Sequence, residues 1–322
     1  MKGEPPSDRL LCNDLRGQPP FLLRYCRYPF MDDTLQLTAD VLEVVIVPLL
    51  LIELLWLRRS GTLTWARVKE MLANISSLAF VVPAGIAGFV AGFALFEAIS
   101  GVLPWSIPTN AGTAIVAVLI ADLIYYLEHR FEHVHRLPWD MWHSVHHSSE
   151  SYDQTTSLRL GFFDALLTMG FTLPMVLLGF SPNLTVLASG IVIGYQTWIH
   201  TEWIQKTPRW FEAIFNTASH HRAHHGADDH YLDVNYGGIL IIWDRIFGTF
   251  QAEINRPTYG LTTQIESSNP IDVQFSQLRL LWKDLNADRS WRDRFRRLWN
   301  RPGWQPEPHQ VCTEGQTLGA HR

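Results

Sequence analysis

Twelve of the 14 histidines lie between residues 129 and 230, most of them in three short groups. "EHRFEH" sets His129 and His133 four apart, on one face of a helix. "HSVHH" sets His146 and His147 at i+3 and i+4 from His143. "HHRAHH" repeats that spacing with His221, His224 and His225, and His220 precedes it; His200 stands alone in "WIHTEW". Imidazoles at i, i+3 and i+4 of a helix can be directed to a shared point, and neutral imidazole is the commonest side-chain metal ligand. One ion accepts roughly four to six such ligands. Nine or ten histidines therefore exceed one ion and suit two adjacent ones. Imidazole is compatible with Fe, Zn, Cu and Ni, so the donor type does not name the metal. His135, His230, His309 and His321 fall outside these groups or off their faces and read as ordinary.

The elements that must position these groups are apolar. A helix needs about 20 mostly apolar residues to cross a bilayer. Five stretches qualify, at roughly 39–57, 78–100, 110–127, 162–180 and 184–204. "SPN" alone separates the last two, which predicts a helical hairpin. The basic residues gather after the first, third and fifth stretches: Arg58, Arg59, Arg67 and Lys69, then Arg130 and Arg136, then Lys206, Arg209 and Arg222. That asymmetry makes one side cytoplasmic and puts every histidine group on it. Arg24 and Arg27, in a segment assigned to the other side, run against this orientation. The expected fold is an all-α integral membrane helical bundle, multi-pass, with a cytosolic helical cap carrying the histidine boxes. The expected layout is an N-terminal segment (1–38), a membrane-embedded catalytic region (39–255), an amphipathic helical region (256–306) and a disordered tail (307–322).

Composition excludes several classes. The net charge of −5 offers no basic field for nucleic acid. Cys12, Cys26 and Cys312 form no C-x-x-C pair, so neither a disulfide framework nor a thiolate metal site is expected. The first residues lack an apolar core, so a cleaved signal peptide is not expected. Asp122 shares a helical stripe with Tyr126, His129 and His133. A carboxylate there can accept the outward N–H of a metal-bound histidine, or it can cap a neighbouring helix; spacing alone leaves both readings open.

"DLIYYLEHRFEH", "WHSVHHSSESYDQTTSLR" and "HHRAHHG" followed by "DVNYGGILIIWDRIFGTF" resemble the fatty acid hydroxylase / sterol desaturase superfamily of membrane di-iron enzymes. "HHSSE" and the last stretch are most similar to its alkylglycerol monooxygenase branch. The resemblance covers roughly residues 40–255. It implies two iron ions that use O₂ to attack an unactivated C–H bond of a lipid. It makes His129, His133, His143, His146, His147, His200, His221, His224 and His225 candidate ligands, with His220 a tenth, and it puts Asn235 close to the site. Some relatives carry a further H-x-x-x-H box near the fourth or fifth span; here His200 is preceded at four residues by Gln196. No G-x-G-x-x-G or cysteine cluster is seen, so the reductant is expected to be a separate electron donor protein or a diffusible tetrahydrobiopterin, as the branch uses. The resemblance leaves hydroxylation and desaturation both open. Of the other classes weighed, a metal transporter needs ligands near the bilayer midplane, and a zinc hydrolase would leave most of these histidines unused.

Overall fold

The computed structural model describes residues 46–306 except 266 and 289. The expectations for 1–38, for the start of the first apolar stretch and for the tail lie outside the described residues. Among those residues there is no strand, only two isolated bridges, Phe215 with Leu240 and Gly226 with Tyr259. The described part of the chain is helical, as expected.

The first helix, α1 (Val47–Arg59), leads to α2 (Trp65–Ser76), whose N-cap Thr64 accepts from the Arg67 N–H. Ser77 keeps helical dihedrals, so α2 runs on into α3 (Leu78–Ser100) as one 36-residue rod, Trp65–Ser100. Next comes α4 (Ala111–Val134). Its start is fixed by a reciprocal capping box: Asn110 Oδ1 accepts from the Thr113 N–H, and Thr113 Oγ1 accepts from the Asn110 N–H. The helical hairpin follows as α5 (Phe162–Phe171), α6 (Leu173–Leu177) and α7 (Pro182–Tyr195). Then come the short α8 (Ala218–His224) and the C-terminal α9 (Pro270–Ala287) and α10 (Trp291–Trp299).

Among the described residues, two helices are long and apolar enough to cross a bilayer, Trp65–Ser100 and Ala111–Val134. Five such segments were expected. The described part of the first has 13 residues. The fourth breaks between α5 and α6, where Pro174 starts a new helix, and turns at Gly179 with φ +102°. The fifth stops after 14 residues at Tyr195, and a 3₁₀ turn over Gln196–Ile199 swings His200 inward. At 1.5 Å per residue α7 spans roughly 21 Å, short of the hydrocarbon thickness.

The two most extensive helix–helix contacts are α3 with α5 and α4 with α7. Gly88 makes the first possible, because a Cβ there would stand 2.5 Å from the Leu166 carbonyl oxygen. The second pair buries Ala117 and Ala121 of α4 against Leu184, Ala188 and Val192 of α7, with Met175 and Phe180 completing the core. Val82, Ile86 and Val90 of α3, with Ile115 and Leu119 of α4, point outward and stay exposed.

The two C-terminal helices lie at the histidine end of α4. Arg297 of α10 donates twice to Asp288 (2.6 and 2.7 Å), Arg136 pairs with Asp284 of α9 (2.6 Å), and the Trp299 ring lies 4.4 Å from His135.

Candidate metal centre

Nine buried histidines meet in two adjoining clusters. His129, His133, His143, His147 and His224 form the first, and His146, His200, His221 and His225 the second; within each, the ligand atoms lie within 4.8 Å of one another. The clusters abut, with the His147 and His225 rings stacked 4.4 Å apart.

The partition follows helix geometry, and it corrects the expectation that each H-x-x-H-H box serves one shared point. His143 and His147, four apart, enter the first cluster, while His146 enters the second. His221 and His225, four apart, enter the second, while His224 enters the first. Residues i and i+4 project within about 40° of each other, but i+3 and i+4 diverge by about 100°. Each box therefore grips one centre with its i, i+4 pair and reaches the other with its i+3 ring. The two boxes do this in opposite senses. His129 and His133 of α4, again four apart, join the first cluster.

The protonation state is fixed by the outer nitrogens. His129 Nδ1 donates to the Tyr236 carbonyl (3.0 Å), His224 Nδ1 to Val234 (2.8 Å), His146 Nδ1 to Arg159 (3.1 Å) and His200 Nδ1 to Gln196 (2.8 Å). His143 Nδ1 meets the Glu132 carboxylate at 2.9 Å, and His133 Nδ1 lies 3.7 Å from Asp233. A carbonyl can only accept, so in these neutral rings Nε2 carries no proton. Yet His146 Nε2 faces His200 Nε2 at 3.2 Å, although a carbonyl fixes the tautomer of both rings. Two bare acceptors at that distance repel unless a cation sits between them. Burial removes the alternative of protonation by pushing His143 and His146 down to about 3. It also holds His147, His221, His224 and His225 well below the ordinary imidazole range. The Nε2 atoms of His133, His147 and His224 are buried with no hydrogen-bond partner at all. Orphaned, unprotonated, converging donors are what a metal-binding site requires.

Three other candidates take different places. His220 enters neither cluster; its ring meets Phe250 edge-on at 5.4 Å. Asp122 accepts from the Ile239 N–H (2.6 Å), the Leu240 N–H (3.1 Å) and Trp243 Nε1 (2.8 Å), so of its two readings the structure supports the cap. Asn235, at φ +56°, donates to the carbonyls of His220 (3.0 Å) and Gln251 (2.7 Å) and accepts from the Gln251 N–H (2.8 Å). It thereby holds the loop whose Val234 and Tyr236 carbonyls orient two histidines of the first cluster.

Residues 114–249 match the family model described as Fatty acid hydroxylase. Alkylglycerol monooxygenase of Homo sapiens is 39% identical over 204 residues, which is 63% of this chain and 44% of that protein. The Caenorhabditis elegans alkylglycerol monooxygenase is 35% identical over 223 residues, covering 63% of this chain and 41% of its own length. Ornithine lipid hydroxylase OlsE of Rhizobium tropici is 32% identical over 140 residues, 42% of this chain and 41% of that protein. The chain thus spans less than half the length of the relatives it matches. No solved structure matches it.

The site also uses residues that spacing did not single out. Glu132 accepts from Trp142 Nε1 (2.5 Å) as well as meeting His143. Its only sequence signal is its place inside "EHRFEH". Asp244 accepts from the Tyr236 and Gly237 N–H groups (2.8 Å each) and from Thr249 Oγ1 (2.7 Å), pinning the loop from its other side. Arg159, whose carbonyl orients His146, is itself held by Glu70 (2.6 Å) and Asn74 (2.9 Å). These partners lie 85 and 89 residues away along the chain, a separation no local pattern encodes.

Proposed function

We propose that this chain is a membrane-embedded, O₂-dependent di-iron enzyme that hydroxylates an alkyl C–H bond of a lipid. The observation that carries the reading is the facing of the unprotonated His146 and His200 Nε2 atoms within one of two adjoining clusters, which only a cation reconciles. Two iron ions held by the nine clustered histidines would supply redox chemistry that no side chain possesses.

The rest of the proposal concerns what the chain does around them. A cavity of about 310 Å³ opens between α3, α4, α5 and α7, walled by apolar side chains and by Gly85 and Gly190. Tyr125 and Glu128 also line it, and the Tyr125 ring lies 5.3 Å from His129 of the first cluster. An alkyl chain entering from the bilayer would lie in this slot with its reacting carbon toward His129. Thr168 and Glu128, hydrogen-bonded at 3.1 Å, place one polar pair at that end. The two long apolar helices and the α5–α7 hairpin would form the membrane bundle, and the basic residues after α1 and α4 orient the clusters toward the cytoplasm. Electrons would then reach them from a separate donor protein or a diffusible pterin.

The relatives named for alkylglycerol and ornithine-lipid oxidation support a lipid substrate. The test is the product. Anaerobically purified protein loaded with iron, given O₂, reductant and an alkyl lipid, should yield a lipid that has gained one oxygen atom. A lipid that has lost two hydrogens instead would make the enzyme a desaturase. Unaltered lipid oxidation in His146→Ala or His224→Ala, with metal content undiminished, would overturn the centre itself.

A further inference from the structure

The tenth histidine has a setting of its own. His220 is 3% exposed, its Nδ1 has no hydrogen-bond partner, and it lies in the wall of a cavity of about 330 Å³ outside both metal clusters. Lys206, Arg209 and Arg245 line the same cavity. Among the described residues, none of these three cations forms an ion pair with a carboxylate. Lys206 Nζ reaches only the Glu253 carbonyl (3.4 Å), and Arg245 donates to the Glu212 carbonyl (3.2 Å). Two carboxylates also lie in the wall, and both are engaged elsewhere. Glu253 is gripped by Arg222 through Nε (2.7 Å) and Nη2 (2.8 Å), and Glu212 accepts from the Thr207 N–H (3.0 Å). The Arg245 guanidinium rests 3.7 Å over the Phe250 ring, which fixes its plane before any ligand arrives.

We propose that Lys206, Arg209 and Arg245, with His220 in the wall behind them, form a binding pocket for a phosphate group, carried either by a membrane phospholipid headgroup or by a soluble phosphate ester. A phosphate offers several acceptor oxygens, and the pocket offers three cations whose positive charge is not neutralised by a paired carboxylate. A pre-oriented guanidinium suits such a ligand through paired N–H donors. The rim fits an interfacial position. Trp210 follows Arg209 and is 67% exposed, and Ile246 follows Arg245 and is 63% exposed. Apolar side chains alternating with cations is the arrangement that meets headgroups and acyl chains together.

The test needs no turnover, so its result is independent of the catalytic reading. Full-length protein, purified in neutral detergent, is titrated with ³²P-labelled inorganic phosphate. The same protein is reconstituted in phosphatidylcholine discs containing phosphatidate, and the lipid retained on the protein after extraction is counted. Either saturable phosphate binding, which assigns a soluble ligand, or selective retention of phosphatidate, which assigns a headgroup, supports the pocket. In both cases Arg245→Gln should weaken binding roughly tenfold, the scale of one lost charge-assisted pair. Because Arg245 also packs on Phe250, the double variant Lys206→Gln/Arg209→Gln provides an independent loss that leaves that stacking intact. Arg292→Gln on α10, which does not line the cavity, serves as the charge control, and bound metal should be the same in every variant. No saturable binding and no phosphatidate retention, or binding undiminished in both the Arg245 and the double variants, would overturn the proposal.

Discussion

The two histidine clusters touch, yet they are built differently. The first takes two of its five rings from the rigid α4, and carboxylates stand beside it: Glu132 at His143 Nδ1 and Asp233 near His133. The second takes its four rings from the ends of short elements, and backbone carbonyls orient two of them, Arg159 for His146 and Gln196 for His200. A carboxylate makes its imidazole more basic and a stronger ligand; a carbonyl fixes the tautomer with less charge. The same residue type at the same spacing thus gives one centre with carboxyl side chains beside two of its rings and one in which two rings meet backbone carbonyls. The first centre should hold its ion more firmly, and the second should exchange it more readily.

The comparison breaks most visibly by ligand removal. His143→Ala should strip roughly one of two ions and abolish product, and His200→Ala should do the same from the other centre. Metal analysis with single-turnover assays measures both. Loss of both ions from either variant would mean the clusters bind as one unit.

Loop support comes next. Asp244→Ala frees the buried N–H groups of Tyr236 and Gly237, at about 1–3 kcal/mol for each unsatisfied group. Because that loop orients only His129 and His224, thermal unfolding should fall together with metal in the first centre alone. Equal loss from both centres would show that the loop supports the whole cap.

Acid should treat the centres alike. His143 and His146, one from each cluster, are held at about 3 in the fold against roughly 6.5 in an unfolded chain. Between those values the unfolded chain binds protons that the fold refuses. Stability is therefore fully present above about pH 6.5 and declines as pH falls toward 3, by up to about 1.4 kcal/mol per pH unit for each histidine. Metal-free protein should melt progressively lower from pH 7 to pH 5, and a flat profile would contradict the buried neutral state.

The smallest effect sharpens the contrast. Glu132→Gln keeps the shape but replaces the carboxyl group that meets His143 Nδ1, so metal affinity should fall roughly 10–100-fold in the first centre and stay unchanged in the second. Competition with a calibrated chelator reads this difference directly.

Much of the site was legible because metal chemistry restricts residue type. Only imidazoles at i, i+3 and i+4 give such a donor set, and all nine clustered rings were visible in "EHRFEH", "HSVHH", "HRAHH" and "WIHTEW". The helical class followed from the long apolar runs, and α4 begins close to its predicted start because Asn110 and Thr113 encode it locally. The hairpin was legible in outline but not in length, because Pro174 and the turn after Tyr195 interrupt segments that hydropathy alone reads as continuous.

The sequence by itself therefore determined which side chains could bind metal and which of them share a local box. It could not assign the i+3 rings, because a local repeat fixes only the angle between neighbours on one helix. Tertiary structure alone crossed His146 into one centre and His224 into the other, and turned Asp122 toward residues 239–243. It alone also left His220 facing a different cavity. Those outcomes depend on where a second helix stands, and that position is set by packing between segments tens of residues apart.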